Sequence, residues 1–120
     1  MAASAPSPRA DCAPAEATIY FTENSATVQP LSIPLLRDLL DRARACEAAG
    51  GEIRAITIAA HPDHGADRTS AEMQVRERAR RVRGELIDLG APADKIQIVH
   101  IRRRDGAPMT RRAVVRLDLY

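Results

Sequence analysis

The apolar positions of this 120-residue chain change period along its length, and the changes divide it into elements. Thr18-Ile19-Tyr20-Phe21 is a short β-branched and aromatic run that predicts a first strand. Thr22 to Thr27 is polar and turn-like. Leu35, Leu36, Leu39, Leu40 and Ala43 recur at helical spacing and predict a first helix within 30–48. Pro30 and Pro34 fit only near its start, where backbone N–H groups lack intrahelical partners, and Gly50-Gly51 ends it. Residues 53–59 are apolar at nearly every position, as in a central strand covered on at least one side. A loop over 60–68 follows. Thr69-Ser70-Ala71-Glu72 has the form of a capping box and opens a second helix. Its buried stripe is Val75, Ala79, Val82, Leu86 and Leu89, and Gly90 followed by Pro92 closes it. A third strand is predicted at 96–101, and Asp105-Gly106 signals a turn. The last strand alternates, with Ala113, Val115, Leu117 and Leu119 inward and Arg116, Asp118 and Tyr120 outward.

The order is βαβαββ. It predicts an α/β protein of the two-layer α+β sandwich type, a mixed four-stranded sheet with both helices on one face. The alternation in the last strand leaves the other face to solvent. Residues 1–16 are mostly Ala, Pro and Ser, and Pro6, Pro8 and Pro14 favour extended backbone. They read as a flexible linker or tether, and 17–120 as one domain large enough to bury a core without metal.

Composition narrows the function classes. There is no Trp, and Tyr20, Phe21 and Tyr120 are the aromatic residues, so the core must be aliphatic. A net charge of +2 does not by itself argue for nucleic acid, and the aromatics that stack single-stranded bases are nearly missing. Arg102-Arg103-Arg104, Arg111-Arg112 and the arginines of the second helix then read as solvated charge rather than a polyanion surface. No apolar run has the length of a membrane span, and the chain opens without a charged-then-apolar leader.

The candidate chemistry lies in Ala60-His61-Pro62-Asp63-His64, at the exit of the second strand. The exit of a buried strand facing a helix start is where open α/β layers place ligands. Arg78 follows fifteen residues after Asp63, on the second helix. On a helical wheel it lies about 60° from the centre of the apolar stripe, bordering that face. A carboxylate and a guanidinium across a crevice can clamp a zwitterion, the acid holding an ammonium and the arginine a carboxylate. The alternative is an internal Asp63–Arg78 ion pair that pins the loop, and the two are compatible. His61, Asp63, His64 and Asp67 are also metal-ligand types, but four ligands from one short loop rarely converge, so no metal is expected. No nucleophile-and-base arrangement stands out, so a non-enzymatic domain without cofactor is expected.

Ile19-Tyr20-Phe21 with Ser25-Ala26, then Ala60-His61-Pro62-Asp63, Arg78-Ala79, Gly90-Ala91-Pro92-Ala93-Asp94-Lys95-Ile96 and Thr110-Arg111-Arg112, form an ordered set over residues 18–119. This set resembles the OmpA-like domain, the peptidoglycan-binding module of OmpA, Pal and MotB proteins. The resemblance implies strand order 1-4-2-3, with the fourth strand antiparallel to the others. It implies non-covalent binding of peptidoglycan through the diaminopimelate of stem peptides, anchoring a periplasmic or outer-membrane protein to the cell wall. Asp63 and Arg78 match the residues that hold diaminopimelate, and His61 and Arg111 complete the implied ligand-binding set, His61 by ordering the loop. Envelope proteins are further implied partners, and the periplasm, with or without an outer-membrane tether, the implied location. The sequence departs from the family pattern at Pro62, where it has Thr, and at Ala71 and Gln74-Val75, where it has Asn and Leu-Ser. A degenerate module acting as a protein-interaction scaffold is therefore the alternative, and a small basic nucleic-acid binder the third.

The two cysteines permit one bridge. In a βαβ unit the crossover helix ends where the first strand begins. Cys12 precedes that strand and Cys46 lies in the helix's last turn, so a Cys12–Cys46 disulfide is expected in an oxidising compartment. The alternative is two unpaired thiols.

Overall fold

The computed structural model describes residues 10–99 and 111–120. It contains β1 (Ala15–Tyr20), α1 (Ile33–Ala48), β2 (Ile53–Ala60), α2 (Arg68–Asp88), β3 (Ile96–Ile98) and β4 (Arg112–Leu119). Single 3-10 turns at Ala10–Cys12, Pro30–Ser32 and Ala93–Lys95 precede β1, α1 and β3.

The sheet order is β1-β4-β2-β3. β4 runs antiparallel to both β1 and β2, while β3 is parallel to β2. This is the expected order and class. Its chemistry follows from side-chain alternation. Ala113, Val115, Leu117 and Leu119 are buried with Ile19, Ile56 and Ile58 beneath Leu36, Leu39, Leu40 and Ala43 of α1 and Ala79, Val82 and Leu86 of α2. On the other face Glu16 lies opposite Arg116, which lies opposite Thr57. Arg116 donates to Glu16 at 3.1 Å, a solvent-exposed cross-strand pair.

Both helices end in the same way. Gly50 (φ 93°) and Gly90 (φ 102°) take the left-handed conformation after Ala49 and Leu89. Gly51 and Ala91 then donate back to the carbonyls of Cys46 and Leu86, satisfying carbonyls that the helix leaves open.

The structure corrects several boundaries. β1 begins at Ala15 and a 3-10 turn precedes it, so the segment expected as linker over 1–16 is built into the domain from residue 10. The cause is pairing: Ala15 lies opposite Leu117, and Cys12 is bonded to Cys46. α1 lies within the expected 30–48, but Leu35 is 45% exposed rather than part of the buried face. β3 is shorter than 96–101, ending at Ile98, although Val99 still donates to the Ile58 carbonyl. The Asp105-Gly106 turn and Arg102-Arg103-Arg104 lie outside the described residues. α2 starts at Arg68, and its N-cap is Asp67, whose carboxylate accepts from Ser70 N at 2.8 Å. That bond replaces the expected capping box at 69–72. Among the described residues no helix is long and apolar enough to cross a membrane.

Candidate functional site

β1 and β2 run in the same direction, so the segments that leave them meet at one end of the sheet. The segment after β2 carries His61 and Asp63, and the turn after β1 carries Thr22, Asn24 and Ser25. Arg111 enters from the start of β4, and α2 supplies Gln74 and Arg78.

Arg78 is fully buried, deeper than the edge position its wheel angle suggested. Tertiary packing decides this: two loops fold over it, and both spend backbone carbonyls on it. Its Nε donates to Ser25 O at 2.9 Å, its Nη1 to His61 O at 2.9 Å and its Nη2 to Thr22 O at 3.3 Å. Nη2 also donates to Asp63 Oδ1 at 2.6 Å. The guanidinium lies over the Phe21 ring, 5.1 Å from the centroid, which adds a cation–π contact to a buried charge. A buried charge needs partners of this kind, because desolvation is otherwise uncompensated.

Asp63 lies just beneath the surface, 6% exposed. Its Oδ1 is spent on Arg78, and its Oδ2 accepts from Asn24 N at 2.7 Å and from Gln74 Nε2 at 3.1 Å. Burial opposes its ionisation. The Asn24 N–H, the Arg78 hydrogen bond and the charges of Arg78 and Arg111 outweigh burial and hold its carboxyl below the usual range.

Among the described residues two that are not glycine take left-handed backbone, Asn24 (φ 57°) and Arg111 (φ 54°), and both lie at this end of the sheet. Asn24 thereby aims its N–H at Asp63. Arg111 donates its N–H to Pro62 O at 3.0 Å and accepts from Phe21 N at 2.7 Å. Such conformations persist where surrounding structure over-determines them, often at binding sites.

The structure thus brings Asp63, Arg78 and Arg111 together. His61 joins through its backbone carbonyl. Its half-buried ring is held neutral by burial first and by the Arg112 charge second, which together lower its pKa. Among the described residues no three of His, Cys, Asp and Glu converge on a metal position. Asp67 is committed to capping α2, so the first-turn N–H groups of that helix are not an open anion seat. The sequence reading named Gln74 as a departure from the family pattern without giving it a place in the site, and it missed Asn24. The only signal for Gln74 was a polar residue beside the apolar stripe, one turn before Arg78. Cys12 and Cys46 form the expected disulfide, at the opposite end of the sheet.

No protein-family model matches the chain, and no curated protein matches it significantly. Solved structures do. The peptidoglycan-associated lipoprotein of Burkholderia pseudomallei is similar at 21% identity and a TM-score of 0.64, over 86% of this chain and 89% of that one. The OmpA-like domain of FopA1 from Francisella tularensis subsp. tularensis SCHU S4 is similar at 14% identity and a TM-score of 0.68, over 89% of this chain and 76% of that one. The chain therefore has the OmpA-like fold.

Proposed function

We propose that this chain binds peptidoglycan non-covalently as a cell-envelope module, and that it recognises the diaminopimelate of stem peptides. The observation that carries the reading is the Asp63–Arg78 ion pair at the carboxyl end of β2, inside an OmpA-like fold. A structural neighbour is named a peptidoglycan-associated lipoprotein, which supports the polymer as ligand. In this reading Asp63 takes the ligand's ammonium. Arg78 holds Asp63 and the two loops in place, and Arg111 is an exposed cation beside the carboxylate. Binding would anchor a periplasmic or outer-membrane protein to the wall.

Pull-down with purified sacculi tests this. Asp63→Asn keeps the side chain's shape and removes its charge, and is expected to weaken retention by more than about tenfold while the protein still melts cooperatively. Full retention would remove Asp63 from the site.

A second reading is favoured by one observation: the Arg78 guanidinium is fully buried and given to three backbone carbonyls and Asp63. A module that had lost its ligand and served as a scaffold for envelope proteins would keep such a pair for stability alone. Wild-type protein that is folded and fails to bind sacculi selects that reading.

A further inference from the structure

The side chain of Gln74 meets Asp63 twice. Its Oε1 accepts from Asp63 N at 2.8 Å, and its Nε2 donates to Asp63 Oδ2 at 3.1 Å. Nε2 also reaches Asn24 Oδ1 at 3.4 Å. The amide orientation is fixed by this network, because the reverse would set a carbonyl against a carboxylate.

Asp63 therefore offers the surface one acceptor, Oδ2, and one donor, its backbone N–H, and a single carboxamide occupies both. The groups that share the carboxylate with Gln74 are fixed. Arg78 is fully buried, and the Asn24 N–H is part of a left-handed turn. Gln74 is half-buried at the helix edge and can leave by side-chain rotation alone. The pair of groups it offers, one donor and one acceptor on one carbon, is matched by the end of an amino acid, where an ammonium and a carboxylate share a carbon. The ammonium would replace Nε2 at Oδ2 with a charge-assisted bond, roughly twice as strong as the neutral one. The carboxylate would replace Oε1 at the Asp63 N–H, another charge-assisted bond.

We infer that Gln74 is an internal stand-in for a zwitterionic amino-acid end, and that ligand binding proceeds by its displacement. The inference rests on the peptidoglycan reading and deepens it: the ligand's carboxylate goes to the Asp63 N–H rather than to Arg78, which has no exposed donor. In the empty protein the carboxamide satisfies Asp63, and that satisfaction is what the ligand must overcome.

The test separates this role from that of a bracket that merely shapes the loop. The probes are the stem tripeptide ending in meso-diaminopimelate, its counterpart ending in L-lysine, and free glycine, titrated into the whole chain while the Gln74 side-chain amide signals are followed by NMR. Gln74→Met keeps the bulk and removes both polar groups, and Gln74→Ala also opens the space. Both are expected to bind the diaminopimelate peptide about fivefold tighter than wild type, although both melt at lower temperature. Wild type is expected to bind the lysine peptide more weakly, since that residue lacks the second carboxylate. Weaker binding by both variants overturns the inference, as does equal binding of the two peptides. If the peptide binds and the Gln74 amide signals do not move, the inference falls and the peptidoglycan reading stands. If glycine at high concentration moves those signals while neither peptide binds, the peptidoglycan reading falls and the displaceable seat stands. If no probe binds, both fall.

Discussion

Asp63 and His61, at the candidate site, are both held in the charge state that acid removes, so acid is the condition that should probe them. Asp63 has a depressed pKa, so the unfolded chain takes up its proton first as pH falls. Its contribution to stability is whole above about pH 4 and is lost below that, towards the folded-state value. His61 is lowered too, and an imidazole kept neutral in the fold is protonated first in the unfolded chain. Its contribution is whole above about pH 6.5 and is lost as pH falls from there. The melting temperature is therefore expected to decline in two stages on acidification. His61→Gln should flatten the upper stage and Asp63→Asn should reduce the lower. Unchanged curves in both variants would show that neither group titrates against the fold. Asp63→Ala is a different experiment. It removes the counter-charge of buried Arg78 together with the oxygens that accept from Arg78, Asn24 and Gln74, at a cost of about 3–5 kcal/mol, so lost binding in that variant would not separate site from fold.

At the scale of elements, α2 shows where sequence pattern succeeds and where it stops. The stripe of Ala79, Val82 and Leu86 and the Gly90 ending were legible because helical period and left-handed glycine are local properties. The start was not. Two N-cap solutions lie within a few residues, and the loop's path decides between them. Asp67, with extended backbone and a bond to Ser70 N, wins over Thr69. Asp67→Ala is expected to speed amide exchange in the first turn of α2 and lower the melting temperature by a few degrees, with Thr69→Ala close to neutral. The reverse ranking would restore the capping box. Asp63 and Arg78 were legible as a pair by type and spacing. The saturation of Arg78 was not, because its acceptors are carbonyls of residues 22, 25 and 61, and a sequence does not say where a distant loop aims its backbone. Gln74 was hidden for the same reason: its partners, Asp63 and Asn24, lie on two loops that become neighbours only once β1 and β2 flank β4.

Across the whole molecule the sheet separates two ends with different work. The polar site occupies the end where β1 and β2 finish. The other end is closed by the Cys12–Cys46 bridge, the α1–β2 turn and Tyr120, whose backbone exchanges hydrogen bonds with Glu52. Among the described residues β1 is an edge strand paired with β4 alone, so the bridge ties the chain just ahead of that edge to the end of α1. Closing a loop with a sequence separation of 34 should stabilise the fold by about 3–4 kcal/mol through the unfolded chain. Replacing both cysteines by alanine is expected to lose that amount in denaturant unfolding, without altering the acid response of Asp63, since distant sites act additively. Gly51 tests whether the end is packed as described. A Cβ there would collide with both sulfurs and sit 2.7 Å from the Tyr120 carbonyl oxygen. Gly51→Ala should therefore cost clearly more in the bridged protein than in the double-alanine background, where only the carbonyl clash remains. Equal costs in the two backgrounds would mean that the bridge does not crowd that turn, and that the close approach of Gly51 to the sulfurs does not set the packing of this end.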